Sequence, residues 1–335
     1  MSKNRGFLKD YGEGGNLVLD SAAVAGGMAF LEGQLEKIDP KIREPLTSTW
    51  WPRDIVAKTG GGFVEYTSAY NIDYATIDGD DDGIITGEVN NIPIMQADLG
   101  RDLFRVFNWA RVLRLSYLDQ QKFKQIALNI EEFLNKGIKL AHDKVLDINV
   151  YTGFPRRGTY GLINNPYATT VMASTKLSGG TEWTEDTTPK EILADVNRMM
   201  TDTWAASGYD LTGMANHILL PPEKYAMLVR RLVAEQGGSI SILEYLLKNN
   251  IGRNQGIELF IGPLPFVAGA GTGGTDRMVG YANNVDRVRF CMTVALNRAM
   301  VSIDAANLAF ISAFVAQFSQ VEFLFLQPVL YMDGI

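Results

Sequence analysis

Residues 63–77 read "FVEYTSAYNIDYATI", and their alternation decides the fold. Val64, Tyr66, Tyr70, Ile72 and Tyr74 fall on one face, while Glu65, Thr67, Asn71 and Asp73 fall on the other. Period two is the signature of a β-strand. A run of about 15 residues spans about 50 Å, whereas strands of compact domains stop near roughly 10 residues. After an acidic stretch, "IITGEVNNIPIMQ" reads as a return strand. The pair makes a long two-stranded ribbon with acids at its tip. Such a ribbon is marginal in water on its own. It needs another surface to lie on, and the expected one belongs to another copy of the chain.

The tip, "DGDDDGIITGEVNN" from Asp78 to Asn91, is nearly a calcium loop. Asp78, Asp80, Asp82 and Gly83 stand in the register that an EF-hand loop requires. The twelfth position should be a bidentate Glu, but Val89 stands there and Glu88 comes one residue early. Flanking helices are also missing from the pattern. Asp78, Asp80 and Asp82 are therefore the weak metal candidates, and a contact tip is the preferred reading.

Working outward, "FRVFNWARVLRLSY" reads as a further strand, in a region carrying Arg101, Arg105, Arg111 and Arg114. These arginines suit either DNA phosphates or acids of a neighbouring copy. The acidic balance of the chain and its acidic tip favour the second. Asp80, Asp81, Asp82, Arg101, Arg105, Arg111 and Arg114 are thus the expected inter-subunit contacts. A helix of about 30 residues, about 45 Å long, follows. Its apolar stripe runs from Phe123 through Ile130, Leu134, Ile138 and Val145 to Ile148. Thr188, Pro189 and Glu191 announce another helix through a capping box. Pro222 opens a helix after "HILLP", "SILEYLLKNN" reads as a short one, and the chain closes on strand-like sequence. Strands and helices alternate irregularly, which defines an α+β class.

The composition excludes several functions. The 335 residues carry a net charge of −7, unlike the basic excess of a dedicated nucleic-acid binder. One cysteine, Cys291, permits no internal disulfide. The two histidines, His142 and His217, lack a sequence-local Ser, Cys or acid in a catalytic pattern. "GAGTGG", Gly269–Gly274, satisfies G-x-G-x-x-G literally, but a strand-like "TDRMVGY" follows where a dinucleotide site needs a helix. No signal peptide, membrane-spanning run, cofactor motif or metal-ligand cluster is expected, and an enzyme is not.

Several stretches together resemble one group of tailed-bacteriophage major capsid proteins. They are "IDPKIREPL", "TYGLINNPYATT", "HILLPPEKYAMLV", "SILEYLLKNN", "GAGTGGTDRMVGYANNVDRVRF" and "QPVLYMDGI". The resemblance covers roughly residues 35–335 and rests on their order and spacing. It implies the Hong Kong 97-type capsid fold, with an N-terminal arm, an extended hairpin called the E-loop, a long spine helix, and peripheral and axial domains. Residues 1–48 would be the arm, 49–98 the E-loop region and 99–158 the peripheral domain with the spine helix. Residues 159–310 would form the axial domain, and 311–335 return strands. "MTVALNRAMVSIDAANLAF" departs from the group, where a more proline-rich segment is expected. The implied function is self-assembly in a host bacterial cytoplasm into hexamers and pentamers, forming a virion shell around double-stranded DNA. Portal, scaffold and decoration proteins are the further partners implied. An encapsulin-like or defective-prophage shell is the related alternative, and a calcium-binding enzyme the unrelated one.

Overall fold

The computed structural model describes residues 48–77, 94–125, 130–233 and 240–335. The expected arm, save Ser48, and the acidic tip Asp78–Asn91 lie outside the described residues. In chain order the strands are β1 (Val56–Thr59), β2 (Tyr66–Ile77), β3 (Ile94–Ser116), β4 (Thr169–Met172), β5 (His217–Leu220) and β6 (Phe260–Pro263). Then come β7 (Arg277–Tyr281), β8 (Val288–Met292), β9 (Val294–Asp304), β10 (Ala309–Ser319), β11 (Val321–Phe323) and β12 (Val329–Asp333). They form three sheets, ordered β1-β8-β11, β2-β3-β10-β9 and β4-β12-β7-β5-β6. Helices intervene without a βαβ repeat, so the α+β reading stands.

The five-stranded sheet is a wall with a core on each side. Leu219, Val279, Tyr281, Val329 and Tyr331 face one apolar cluster, which also holds Phe107, Trp109, Leu146 and Phe318. Their chain neighbours Ile218, Leu220, Met278, Leu330 and Met332 face the other, around Ile192, Val196, Met199 and Trp183. Strand alternation thus divides one sheet between two cores. The second core is closed by helix Pro189–Ala206. Its capping box is formed as the sequence predicts: Glu191 N–H donates to Thr188 Oγ1, and Thr188 N–H donates to the Glu191 carboxylate at 2.8 Å. Gly280 lets this helix approach, since a Cβ there would lie 2.1 Å from Met199 Sδ.

The long helix shows how residue spacing becomes packing. Helix is described over Tyr117–Gln125 and Ile130–Tyr151. Leu134, Ile138, His142, Leu146 and Val150 recur every fourth residue and turn toward β3 and β10. His142, at the edge of the expected stripe, is in fact buried on this ridge, whereas Ile148 is 42% exposed. The imidazole meets Trp109 edge-on at 5.1 Å and lies beside Phe318. "TYGLINN" then folds back on the helix end. Leu162 N–H donates to Val150 O at 2.7 Å and Ile163 N–H to Tyr151 O at 3.1 Å, satisfying carbonyls that a helix terminus leaves open. Gly161 is required there, because a Cβ would sit 2.3 Å from the Tyr151 backbone.

Asp54 ties these parts together. It closes the short helix Trp51–Asp54 and is fully buried. Its carboxylate accepts from Arg53 Nε at 2.5 Å and Nη2 at 2.9 Å, and from Tyr151 Oη at 2.6 Å. His217 Nε2 lies 3.2 Å away, and the Tyr281 hydroxyl donates to the Asp54 carbonyl. One residue therefore joins the long helix, β5 and β7. Burial alone would push the Asp54 carboxyl up, but hydrogen bonds from His217, Arg53 and Tyr151 outweigh it and hold the group below the usual range. Replacing Asp54 by Ala strands these donors, and the expected loss is about 3–5 kcal/mol. Urea unfolding of the unassembled subunit measures it.

Both histidines titrate below the ordinary imidazole range. Burial lowers His142 and outweighs the nearby Asp143, and burial lowers His217 against the opposing pull of Asp54. In the window between the unfolded value near ~6.5 and the lower folded values, the unfolded chain binds more protons. Stability from these groups is full above that unfolded value and falls as pH drops through the window. Urea midpoints should therefore decline on acidification below about pH 6.5. His142→Gln should flatten that decline, by at most about 1.4 kcal/mol per pH unit.

Candidate assembly interface

The ribbon of β2 and β3 is the feature whose chemistry is left unused by the fold. Register runs without interruption from Tyr66↔Arg105 to Ile77↔Ile94. Cross-strand partners share a face, so Tyr70, Ile72 and Tyr74 lie with Arg101, Leu99 and Ala97. Tyr74 is 69% exposed and Leu99 62%, far from any core. The opposite face is polar: Asn71 pairs with Gly100 and Asp73 with Asp98, and the Asn71 amide donates to Asp102 at 2.5 Å. One side of the ribbon is built to be buried and the other to stay wet.

Two polar clamps hold the root of the ribbon. Gln317, on β10, accepts from Val64 N–H at 3.0 Å and from Thr293 Oγ1 at 2.7 Å. Its amide donates to Val64 O and Asn108 Oδ1, both at 2.8 Å. Glu322, on β11, accepts from Thr67 Oγ1 at 2.6 Å and from Arg289 Nε at 2.9 Å. Sequence reasoning missed both residues. The signal was present, since Gln317 and Glu322 stand inside apolar runs and a buried polar group must find partners.

The arginines expected at contacts do not act as one group. Arg101, Arg105 and Arg111 share the odd-numbered face of β3, while Arg114 points to the other. Arg101 lies 5.8 Å from the Tyr70 ring centre, and Arg111 5.9 Å from that of Trp109. Arg105 donates to Arg157 O at 2.9 Å. Asp78, Asp80, Asp81 and Asp82, both as contacts and as metal candidates, fall outside the described residues.

The structure gives the return strand and the arginine-bearing strand as a single 23-residue strand, β3. The departing segment "MTVALNRAMVSIDAANLAF" supplies β9 and β10, a hairpin in the same sheet as β2 and β3. The expected boundary between residues 310 and 311 falls inside β10.

Other sequence candidates are absorbed by the fold. His217 stacks on Phe260 at 4.3 Å and meets Asp54, with no nucleophile in this buried cluster. Cys291 is buried in β8, where burial and the Glu322 charge push its thiol up to about 12. The glycine loop forms a short 3₁₀ turn, Thr272–Gly274, and leads into β7. Thr272 N–H and Oγ1 both donate to Asp333 at 2.9 Å, so the carboxylate of the chain itself occupies the place an anion would take. Arg277 clasps the same carboxylate at 2.7 and 2.9 Å. Among the described residues no cluster of His, Cys, Asp and Glu has metal-site geometry, and no helix is long and apolar enough to cross a membrane.

Solved structures show the same fold. The capsid of Myoviridae phage XM1 matches with a TM-score of 0.73 at 15% identity, covering 90% of this chain and 98% of that one. The capsid of the native GTA particle matches at 0.60 and 12% identity, over 94% and 99% of the two chains. Gordonia phage Cozz matches at 0.56 and 15% identity, over 97% of both. No curated protein sequence gives a significant match. The fold is the Hong Kong 97-type capsid fold, an architecture of shells built from repeated copies. The family model for major capsid protein matches residues 80–335, and the chain belongs to that family. Family and fold point to a structural role in a virion shell rather than a catalytic one.

Gln317→Ala should loosen the ribbon root more than the core. The Val64 amide then exchanges with solvent faster, while amides of Leu146 and Val150 keep their protection. Hydrogen exchange read residue by residue checks this.

Proposed function

We propose that copies of this chain form hexamers and pentamers, which close an icosahedral phage head around double-stranded DNA. The observation that carries the reading is the ribbon, with Tyr70, Ile72, Tyr74, Leu99 and Leu103 exposed on one apolar side. Fully burying a side chain of this kind is worth roughly 1.5–3 kcal/mol. A few such side chains per neighbour, repeated at every subunit, stabilise a closed shell through many modest contacts.

In this reading residues 1–48 are the arm and 49–98 the E-loop region, which lies on an adjacent subunit. Residues 99–158 carry the spine helix, 159–310 the axial domain and 311–335 the return strands. Asp80, Asp81 and Asp82 at the tip meet basic side chains of a neighbour. A portal protein, and scaffold or decoration proteins, complete the particle. Packaged DNA is held by non-specific contacts only, as suits a chain with net charge −7. Assembly takes place in the bacterial cytoplasm.

Electron microscopy of the purified protein should show uniform shells, or hexamers and pentamers. A small monodisperse oligomer that binds calcium or a nucleotide would overturn the reading. Ile72→Asp combined with Leu99→Asp should leave subunit stability within about 0.5 kcal/mol, because both sites are exposed. The same pair should lower shell yield at least roughly tenfold, since each loses a buried apolar contact.

A further inference from the structure

The ribbon has a face to bury, and the sheet at its base has a face left bare. Side chains alternate along β3 without a break, because its register with β2 and with β10 is continuous. Its odd-numbered residues Phe107, Trp109, Leu113 and Leu115 turn toward the long helix and are buried. The apolar side of the ribbon, with Leu99 and Leu103, has the same parity. The even-numbered side carries Ala110 and Val112. There Val112 pairs with Ala313 and Ala313 with Met300, making one rung across three strands. Val315 extends the patch opposite Ala110, and Ile311 opposite Arg114. Val112 is 64% exposed and Met300 72%.

We infer that this bare side of the β3-β10-β9 sheet is the landing face for the apolar side of the ribbon from a second copy. The inference rests on the shell reading above and names the partner surface of the same ribbon. In a shell of one repeated chain every copy keeps the same side outward. A ribbon that extends past its own subunit presents the side of parity shared with the helix-facing residues. The surface it meets on a like-oriented neighbour must face the opposite way, and that is the side bearing Val112 and Met300. The chemistry agrees, since each surface is a flat β-face with exposed aliphatic or aromatic groups. Charge agrees as well. Residues 78–93 contain Asp78, Asp80, Asp81, Asp82 and Glu88 and no Lys or Arg. Arg114 stands on the landing face beside Val112.

Disulfide trapping between chains tests this. Val112→Cys is made in one copy, and Tyr70→Cys, Ile72→Cys, Tyr74→Cys or Leu99→Cys in another, each at an exposed position. The native Cys291 is buried and does not compete. Coexpressed pairs are assembled, oxidised and run on a non-reducing gel. The expected result is a heterodimer band for at least one ribbon cysteine with Val112→Cys. It should be absent before assembly and absent with a cysteine at Leu118, on the long-helix segment. Circular dichroism melts matching the wild type show that the variants fold. Shells that form without any such band would overturn the landing face and leave the shell reading intact. So would trapping of Val112→Cys by a cysteine placed at Val18, which would assign the face to the N-terminal arm instead. Failure of the wild-type chain to form shells would overturn the reading on which the inference stands.

Discussion

A single buried carboxylate sets the arrangement of residues 49–335. Asp54 is out of water, and a charge in that position persists only when its hydrogen-bonding capacity is met. Arg53, Tyr151 and His217 meet it, and each comes from a different element. The long helix, the five-stranded sheet and the segment leading into β1 must therefore arrive together. The segment after Asp54 runs through β1 to the ribbon, so the same constraint fixes where the ribbon departs. Gln317 and Glu322 then hold its first residues against β10 and β11.

The ribbon illustrates how a strand pair can be stable at one end and incomplete at the other. Near the root, β3 is flanked by β10 and backed by the long helix, and its odd-numbered side chains are buried. Beyond Leu103 the same alternation continues with β2 as the only described sheet neighbour. The sequence does not change character there, and only its surroundings do. A surface that the subunit cannot cover alone is the expected property of a family whose members build capsids.

Elements with strong local signals were legible in the sequence. Period-two alternation gave the ribbon, and Thr188 with Pro189 and Glu191 gave the start of a helix. The motifs that carried the family resemblance turn out to be polar closures. "TYGLINN" caps the long helix, and "DGI" supplies the Asp333 clasp. What stayed hidden was long-range. Nothing near Asp54 in the sequence announces Tyr151, His217 or Tyr281, which lie 97, 163 and 227 residues away. His142 was placed at the edge of the helix stripe because an imidazole reads as polar. Its burial follows from the aromatic groups of β3 and β10, which the helix pattern alone does not contain. The side of β3 on which each arginine falls became clear only with the register.

The two-cored sheet has a consequence for how its strands find their alignment. Where one face of a sheet is apolar and the other polar, a slip by one residue is penalised at every position. Here both faces are apolar, so hydrophobicity alone discriminates weakly between registers. The polar clasps supply the missing information. Arg277 and Asp333 are direct cross-strand partners between β7 and β12, and they are also the ion pair. His217 and Tyr281 are direct partners between β5 and β7, and both reach Asp54. A slip of one residue in either pair would strand buried charge or a buried hydroxyl. These groups act as alignment pins, so their contribution lies in making one strand alignment unique more than in making the sheet strong.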